Sequence, residues 1–320
     1  MAKKIGLSIY SLSILDNTNN RIDLNNVING KSIIEIIKSY IEENQDKYSA
    51  DTKKEVLFRF EKVESENVNN NDGQKEYNIL YGRVKTGEYG IESELINVKT
   101  GEVYNRTQEE ADMLPFGFCI AVPEGSMQSG VICLQTNGVF GMKLSLQMHL
   151  EQCVSKINPE FQLLFKTITP KEYIVRYFEK GILNKIRMIR YDIPEDITER
   201  MGINSGTKQT KEERIIHKPV GFLQKNKKKI EEWMNGQRNY TEVVELDDFE
   251  YDEIKLEFSL EGDNKTFNLK DMGRIAVNEN ITQKVILAGG HPVFESLVPV
   301  MKNIARMYLV GMGLIVERKK

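Results

Sequence analysis

The chain opens on alternation: Ile5, Leu7 and Ile9 are separated by Gly6 and Ser8, the period of a strand with one buried face, and a first strand is expected over residues 4–15. An Asn-rich loop over 16–30 follows, where Asn and Asp side chains compete for backbone hydrogen bonds. The period then becomes helical. Ser32-Ile33-Ile34-Glu35 reads as a capping box, and Ile33, Ile36, Ile37, Tyr40 and Ile41 continue it at helical spacing, so a helix is expected over 32–45. Between residues 55 and 135 the period returns to two, giving strands at 56–63, 77–84, 92–98, 116–122 and 130–135. Turn sequences at 70–73, 99–102 and 123–125 separate them, which is the pattern of an antiparallel sheet built from hairpins.

After the Asn137-Gly138 turn a helix is expected over 141–157, with Leu144, Leu146, Met148 and Leu150 covering one face of that sheet. A strand at 161–168, a helix begun by Pro170 in its first turn, and a strand at 185–191 come next. Residues 201–212 hold two glycines and little apolar content, the composition of a hinge or loop. Beyond them lie an expected helix at 220–234, a hairpin at 253–260 and 266–269, a strand at 284–288 and a terminal helix. The whole reads as α+β: an antiparallel-rich sheet domain over 1–200 with helices packed on one side, and a smaller α+β region over 213–320. In the terminal helix, Val298, Val300, Met301, Ile304, Ala305, Met307, Tyr308, Leu309 and Val310 cover most of the circumference. Such a helix requires burial on several sides, either as the central helix of the C-terminal region or in a homo-oligomer formed through 292–314.

Composition narrows the class. At 320 residues, 40% hydrophobic and 28% charged, the chain has the make-up of a globular protein. Its start has no uninterrupted apolar signal core, and the apolar stretch 292–316 is broken by Glu295, Lys302 and Arg306, so no membrane anchor is expected. Cys119, Cys133 and Cys153 form no CxxC pair, which suits free thiols and a cytoplasmic location. His149, His217 and His291 have no zinc spacing, so no metal or other cofactor is expected. The abundance of Asn, Lys and Ile suggests a low-GC bacterial or phage source.

Charge changes the picture more. Residues 166–229 carry sixteen basic side chains against eight acidic ones, +8, while the rest of the chain carries −11. An acidic body with a basic segment points to a polyanion, or to an acidic protein surface, as partner. Within the segment, Lys185 and Arg187 share a strand face with Arg190 nearby, and Lys225, Lys227, Lys228 and Lys229 form a block beside Trp233, the sole tryptophan. The acidic stretch 192–199 separates the two clusters. These seven cations are the candidate contacts to a nucleic-acid phosphate backbone.

A second candidate lies at Glu253, Lys255 and Glu257, which face one way on a strand. Metal-dependent nucleases of the PD-(D/E)xK type use such a Glu-x-Lys pair, with an upstream Asp, here Asp247 or Asp248, sharing a magnesium or manganese ion. Asp248, Glu253 and Lys255 are the catalytic candidates of that reading. Gly30-Lys31-Ser32 lacks the first glycine of a phosphate-binding loop, Gly289-Gly290 reads as a tight turn, and Ser126 and Ser129 form no nucleophile elbow. The expected function is a cytosolic nucleic-acid-associated protein, an accessory or sensor component of a bacterial or phage defence or mobile-element system. The alternatives are the nuclease and a protein-interaction subunit.

Overall fold

The computed structural model describes residues 4–191, 211–244, 249–271 and 277–316. The expected hinge residues 201–210, the acidic stretch 192–199 and Asp247 and Asp248 lie outside them. The fold is α+β. By contact, the chain falls into two compact units, Met1–Thr167 with Ala276–Lys320, and Ile168–Ile275. The sequence division at 201–212 is linear; the observed grouping is discontinuous, because the last strands and helix return to the first unit.

The first unit begins with β1 (Ile5–Leu15), α1 (Ile33–Asn44), β2 (Tyr48–Asp51), β3 (Val56–Asn69) and β4 (Lys75–Glu88). It continues through β5 (Ser93–Ile96), β6 (Val103–Arg106), β7 (Leu114–Pro123), β8 (Gly130–Asn137), β9 (Phe140–Gly141), α2 (Lys143–Ile157) and β10 (Gln162–Thr167). The second unit holds α3 (Lys171–Lys180), β11 (Ile182–Arg190), β12 (Glu212–His217), α4 (Phe222–Lys225), α5 (Lys227–Met234), β13 (Glu253–Leu260) and β14 (Asp263–Asn268). The chain then returns through β15 (Val277–Asn280), β16 (Leu287–Ala288), β17 (His291–Pro292) and α6 (Phe294–Gly311).

In the first unit an antiparallel sheet runs β10-β1-β8-β7-β4-β3-β2, with β15 also on β1 and β9 on β8. The capping box is formed as expected: the Glu35 amide donates to Ser32 Oγ (3.2 Å) and the Ser32 amide to Glu35 Oε2 (2.8 Å). On one face Ile33, Ile37 and Ile41 of α1 and Leu146, Leu150 and Val154 of α2 pack with Phe116, Phe118 and Ile120. The intervening residues Cys119, Ala121, Val131 and Cys133 are also fully buried, beneath α6. A Cβ on Gly117 would lie 2.4 Å from Leu297 Cδ2, and Cys119 Sγ donates to the Met301 carbonyl at 3.8 Å. Helices therefore cover both faces, where the sequence led to the expectation of one. The cause is visible in β7: a strand apolar at consecutive positions needs a layer on each side.

The terminal helix α6 finds its burial here rather than in a C-terminal region. Leu297, Met301, Ile304, Ala305, Tyr308 and Leu309 are buried, while Lys302 and Arg306 at its margin pair with Glu66 (2.7 Å) and Glu76 (2.9 Å). Tyr308 donates to the buried Glu279 of β15 at 2.9 Å. In α2 only half of the expected apolar set is covered: Leu146 and Leu150 are buried, whereas Leu144 is exposed and, with Met148 and Phe140, lines a 480 Å³ cavity. The strand expected at 284–288 is instead the short pair β16–β17, joined by Gly289 and Gly290 at φ 58° and 82°, a two-residue turn that needs left-handed backbone. All three cysteines are buried free thiols. Among the described residues, no helix is long and apolar enough to cross a membrane.

The second unit is an antiparallel sheet in the order β12-β11-β13-β14. Its core face carries Ile186, Met188, Ile254, Leu256 and Phe258, all buried. Helix α3 lies on that face through an aromatic cluster, with Tyr177–Phe267 centroids at 5.2 Å and Phe178–Phe258 at 4.9 Å. Helix α5 joins the cluster through Trp233, 6.3 Å from Phe178.

Candidate nucleic-acid interface

A β-bulge between Leu183 and Lys185 sets the orientation of the first cationic cluster. It reverses the alternation of β11, so that Ile186 and Met188 turn into the core and Lys185 and Arg187 turn out together, as expected of a shared face. Across β13, Glu253, Lys255 and Glu257 also face outward. The result is a ladder of ion pairs. Lys185 Nζ stands 3.1 Å from Glu257, and Arg187 bridges Glu213 (2.6 Å) and Glu257 (3.2 Å). Lys255 stands 2.9 Å from Glu253. Burial pushes the Glu257 carboxyl up, but the hydrogen bonds and charges of Lys185 and Arg187 outweigh it and hold it below the usual carboxylate range. The Arg187 hydrogen bond does the same to Glu213 against its own desolvation.

Arg190 belongs elsewhere. It pairs with Glu212 on the core-side face, and its guanidinium lies 4.9 Å from the ring centroid of the buried Phe249, which Arg214 also covers at 4.2 Å. The strand cations are thus held by carboxylates and an aromatic ring of their own unit.

The lysine block is built differently. The helix expected over 220–234 is broken at Asn226 into α4 and α5, with Gly221 at φ 82° ahead of it. The break spreads the lysines. Lys225 and Lys229 border a shallow hollow with Pro219, Val220 and Phe222, whereas Lys227 borders a separate cavity of 430 Å³ with Val175, Phe178, Leu223, Ile230 and Met234. The Lys227 and Lys228 side chains are 76% and 87% exposed, and their i,i+4 carboxylates, Glu231 and Glu232, stand at 3.9 and 3.8 Å, beyond hydrogen-bonding distance. Lys229 is half-buried. Three lysines and no acidic residue occupy the first turn of α5, where the helix dipole disfavours cations.

The two basic clusters do not make one surface. Lys185 and Arg187 stand on the outward face of the sheet; α5 stands on the layer that covers the core face, through Trp233 and Phe178. The cavity beside Lys227 was not anticipated, although its walls repeat at helical spacing, at 171, 175 and 178 on α3 and at 223, 227, 230 and 234 on α4–α5. For the nuclease candidates, Glu253 accepts from Lys255 and from Asn268 Nδ2 (3.2 Å), while Asp248 lies outside the described residues. Among the described residues no group of three or more His, Cys, Asp or Glu side chains is placed to hold a metal ion. Comparison with protein-family models and with curated proteins finds no match to this chain.

Proposed function

We propose that the second unit is a non-enzymatic polyanion-binding module that contacts the phosphate backbone of a nucleic acid through Lys225, Lys227 and Lys228 on α4–α5. The observation that carries this reading is the contrast in pairing: Arg187 sits within 2.6 Å of a carboxylate, whereas Lys227 and Lys228 are highly exposed and, among the described residues, have their carboxylates at 3.9 and 3.8 Å. An exposed, loosely paired ammonium exchanges its counterions for phosphate at little cost, and their release drives binding. Lys185, Arg187 and Arg190 then act within the sheet and leave the contact to the helices. The wider reading, an accessory or sensor component of a defence or mobile-element system, rests on composition alone and adds no residue to the site.

The test is fluorescence anisotropy with labelled DNA and RNA across a salt series. The triple variant K225E/K227E/K228E is expected to weaken binding uniformly across sequences and to flatten the slope of log K against log salt by about 0.7–0.9 for each lysine that neutralises a phosphate. Binding that ignores both salt and these substitutions overturns the reading.

A further inference from the structure

Resting on that reading of α4–α5, we propose that the 430 Å³ cavity between α3 and α4–α5 takes one unpaired nucleobase, so that the nucleic acid bound is single-stranded. The volume lies in the range of sites that enclose small planar ligands, about 300–1,000 Å³. Its walls are those of a base pocket. Val175, Leu223, Ile230 and Met234 supply apolar sides and Phe178 an aromatic one. The Phe178 ring is fixed from behind, 4.9 Å from Phe258 and 6.3 Å from Trp233, so it offers a platform that loses little rotamer freedom when a base lies on it.

The rim supplies polar groups suited to a base edge. Gln224 presents an amide, and Asn235 accepts from Lys171 Nζ at 2.5 Å through its Oδ1, which leaves its NH2 as a donor. Glu179 and Glu231 also line the cavity, and carboxylates there accept from exocyclic amino groups. The pocket therefore favours a base carrying an amino group over uracil. Lys227 lines the same cavity with its side chain largely exposed, so one residue joins base capture to the phosphate contact. A base paired and stacked within a duplex does not enter such a pocket without being extruded, whereas a single strand presents its bases freely.

Affinities for labelled oligocytidine, oligouridine and a mixed-sequence duplex separate the possibilities. Oligocytidine is expected to bind about tenfold more tightly than the duplex, the order of one stacked base. Val175→Trp, which narrows the cavity, is expected to remove that advantage, with circular dichroism confirming the fold. Gln224→Ala, at an exposed position outside the core, carries the test independently: it is expected to narrow the preference for oligocytidine over oligouridine. Equal affinity for single strand and duplex, or a preference untouched by Gln224→Ala, while K225E/K227E/K228E still abolishes binding, overturns the base pocket and leaves the phosphate reading standing. Absence of salt-dependent binding to every one of these probes overturns both.

Discussion

The two sheets of this protein solve the same packing problem in opposite ways. In the first unit β7 and β8 are buried on both faces, under α1 and α2 on one side and α6 on the other. In the second unit β11 and β13 present an apolar core face on one side; apart from the buried Ile189, the other side carries Lys185, Arg187 and Lys255 against Glu213, Glu253 and Glu257. The first arrangement puts its stabilisation into apolar burial, at about 25 cal/mol per Å² removed from water. The second puts charge on a surface and then neutralises it. A strongly basic strand is therefore not a free basic surface, and the available cations stand on the helices behind it.

That contrast yields predictions of decreasing size. The largest concerns Met301, fully buried between α6 and the first sheet. Met301→Ala is expected to cost about 2–5 kcal/mol in denaturant unfolding, whereas Lys185→Ala, in the ladder, costs about 1 kcal/mol or less. Equal costs would break the comparison.

Acid should also separate the units. His149 is buried against Phe58, with ring centroids 4.3 Å apart, and burial holds its pKa below the usual 6.5. The folded state keeps it neutral while the unfolded chain takes up a proton first. Its contribution is complete above pH 6.5 and declines as pH falls from there through the folded value. Glu213 and Glu257 are held below the usual 4.5, so their contribution is complete above pH 4.5 and is lost as pH falls through their folded values. Thermal melts followed downward from pH 7 are expected to show the first unit weakening before the second, and His149→Leu should remove the early step; an early step that survives that substitution would exclude His149 as its source.

The smallest effect sharpens the charge argument. Glu257→Gln removes the negative charge shared by Lys185 and Arg187 at a stability cost of about 1 kcal/mol. Because those two face away from α4–α5, nucleic-acid affinity is expected to stay unchanged. A gain in affinity would show that the sheet face joins the interface.

Local features were legible in the residues. The Ser32–Glu35 capping box, the strand runs of β1, β3, β4, β7 and β8, and the shared outward face of Lys185 and Arg187 all depend on neighbours a few positions away. The split at Asn226 was not, because Lys225 and Lys227 to Lys229 on either side of it have helical composition and the break lies in the backbone around a single residue. Strand β15 was missed for a related reason: Val277-Asn-Glu-Asn280 is polar at three of four positions and is a strand because β1 supplies its partner. The apolar circumference of α6 was plain, but its cover comes from strands some 180 residues earlier, as the contact between Cys119 and Met301 shows.

By itself the sequence determined the periods, the caps, the α+β class and the concentration of positive charge between residues 166 and 229. The tertiary structure alone decided which of those charges remain available. Arg187 meets Glu257 across seventy residues of chain, and Lys227 meets a cavity whose far wall is α3. Electrostatic neutralisation acts through a few ångströms of space, and pairing of strands, not proximity in sequence, sets which carboxylate fills that space.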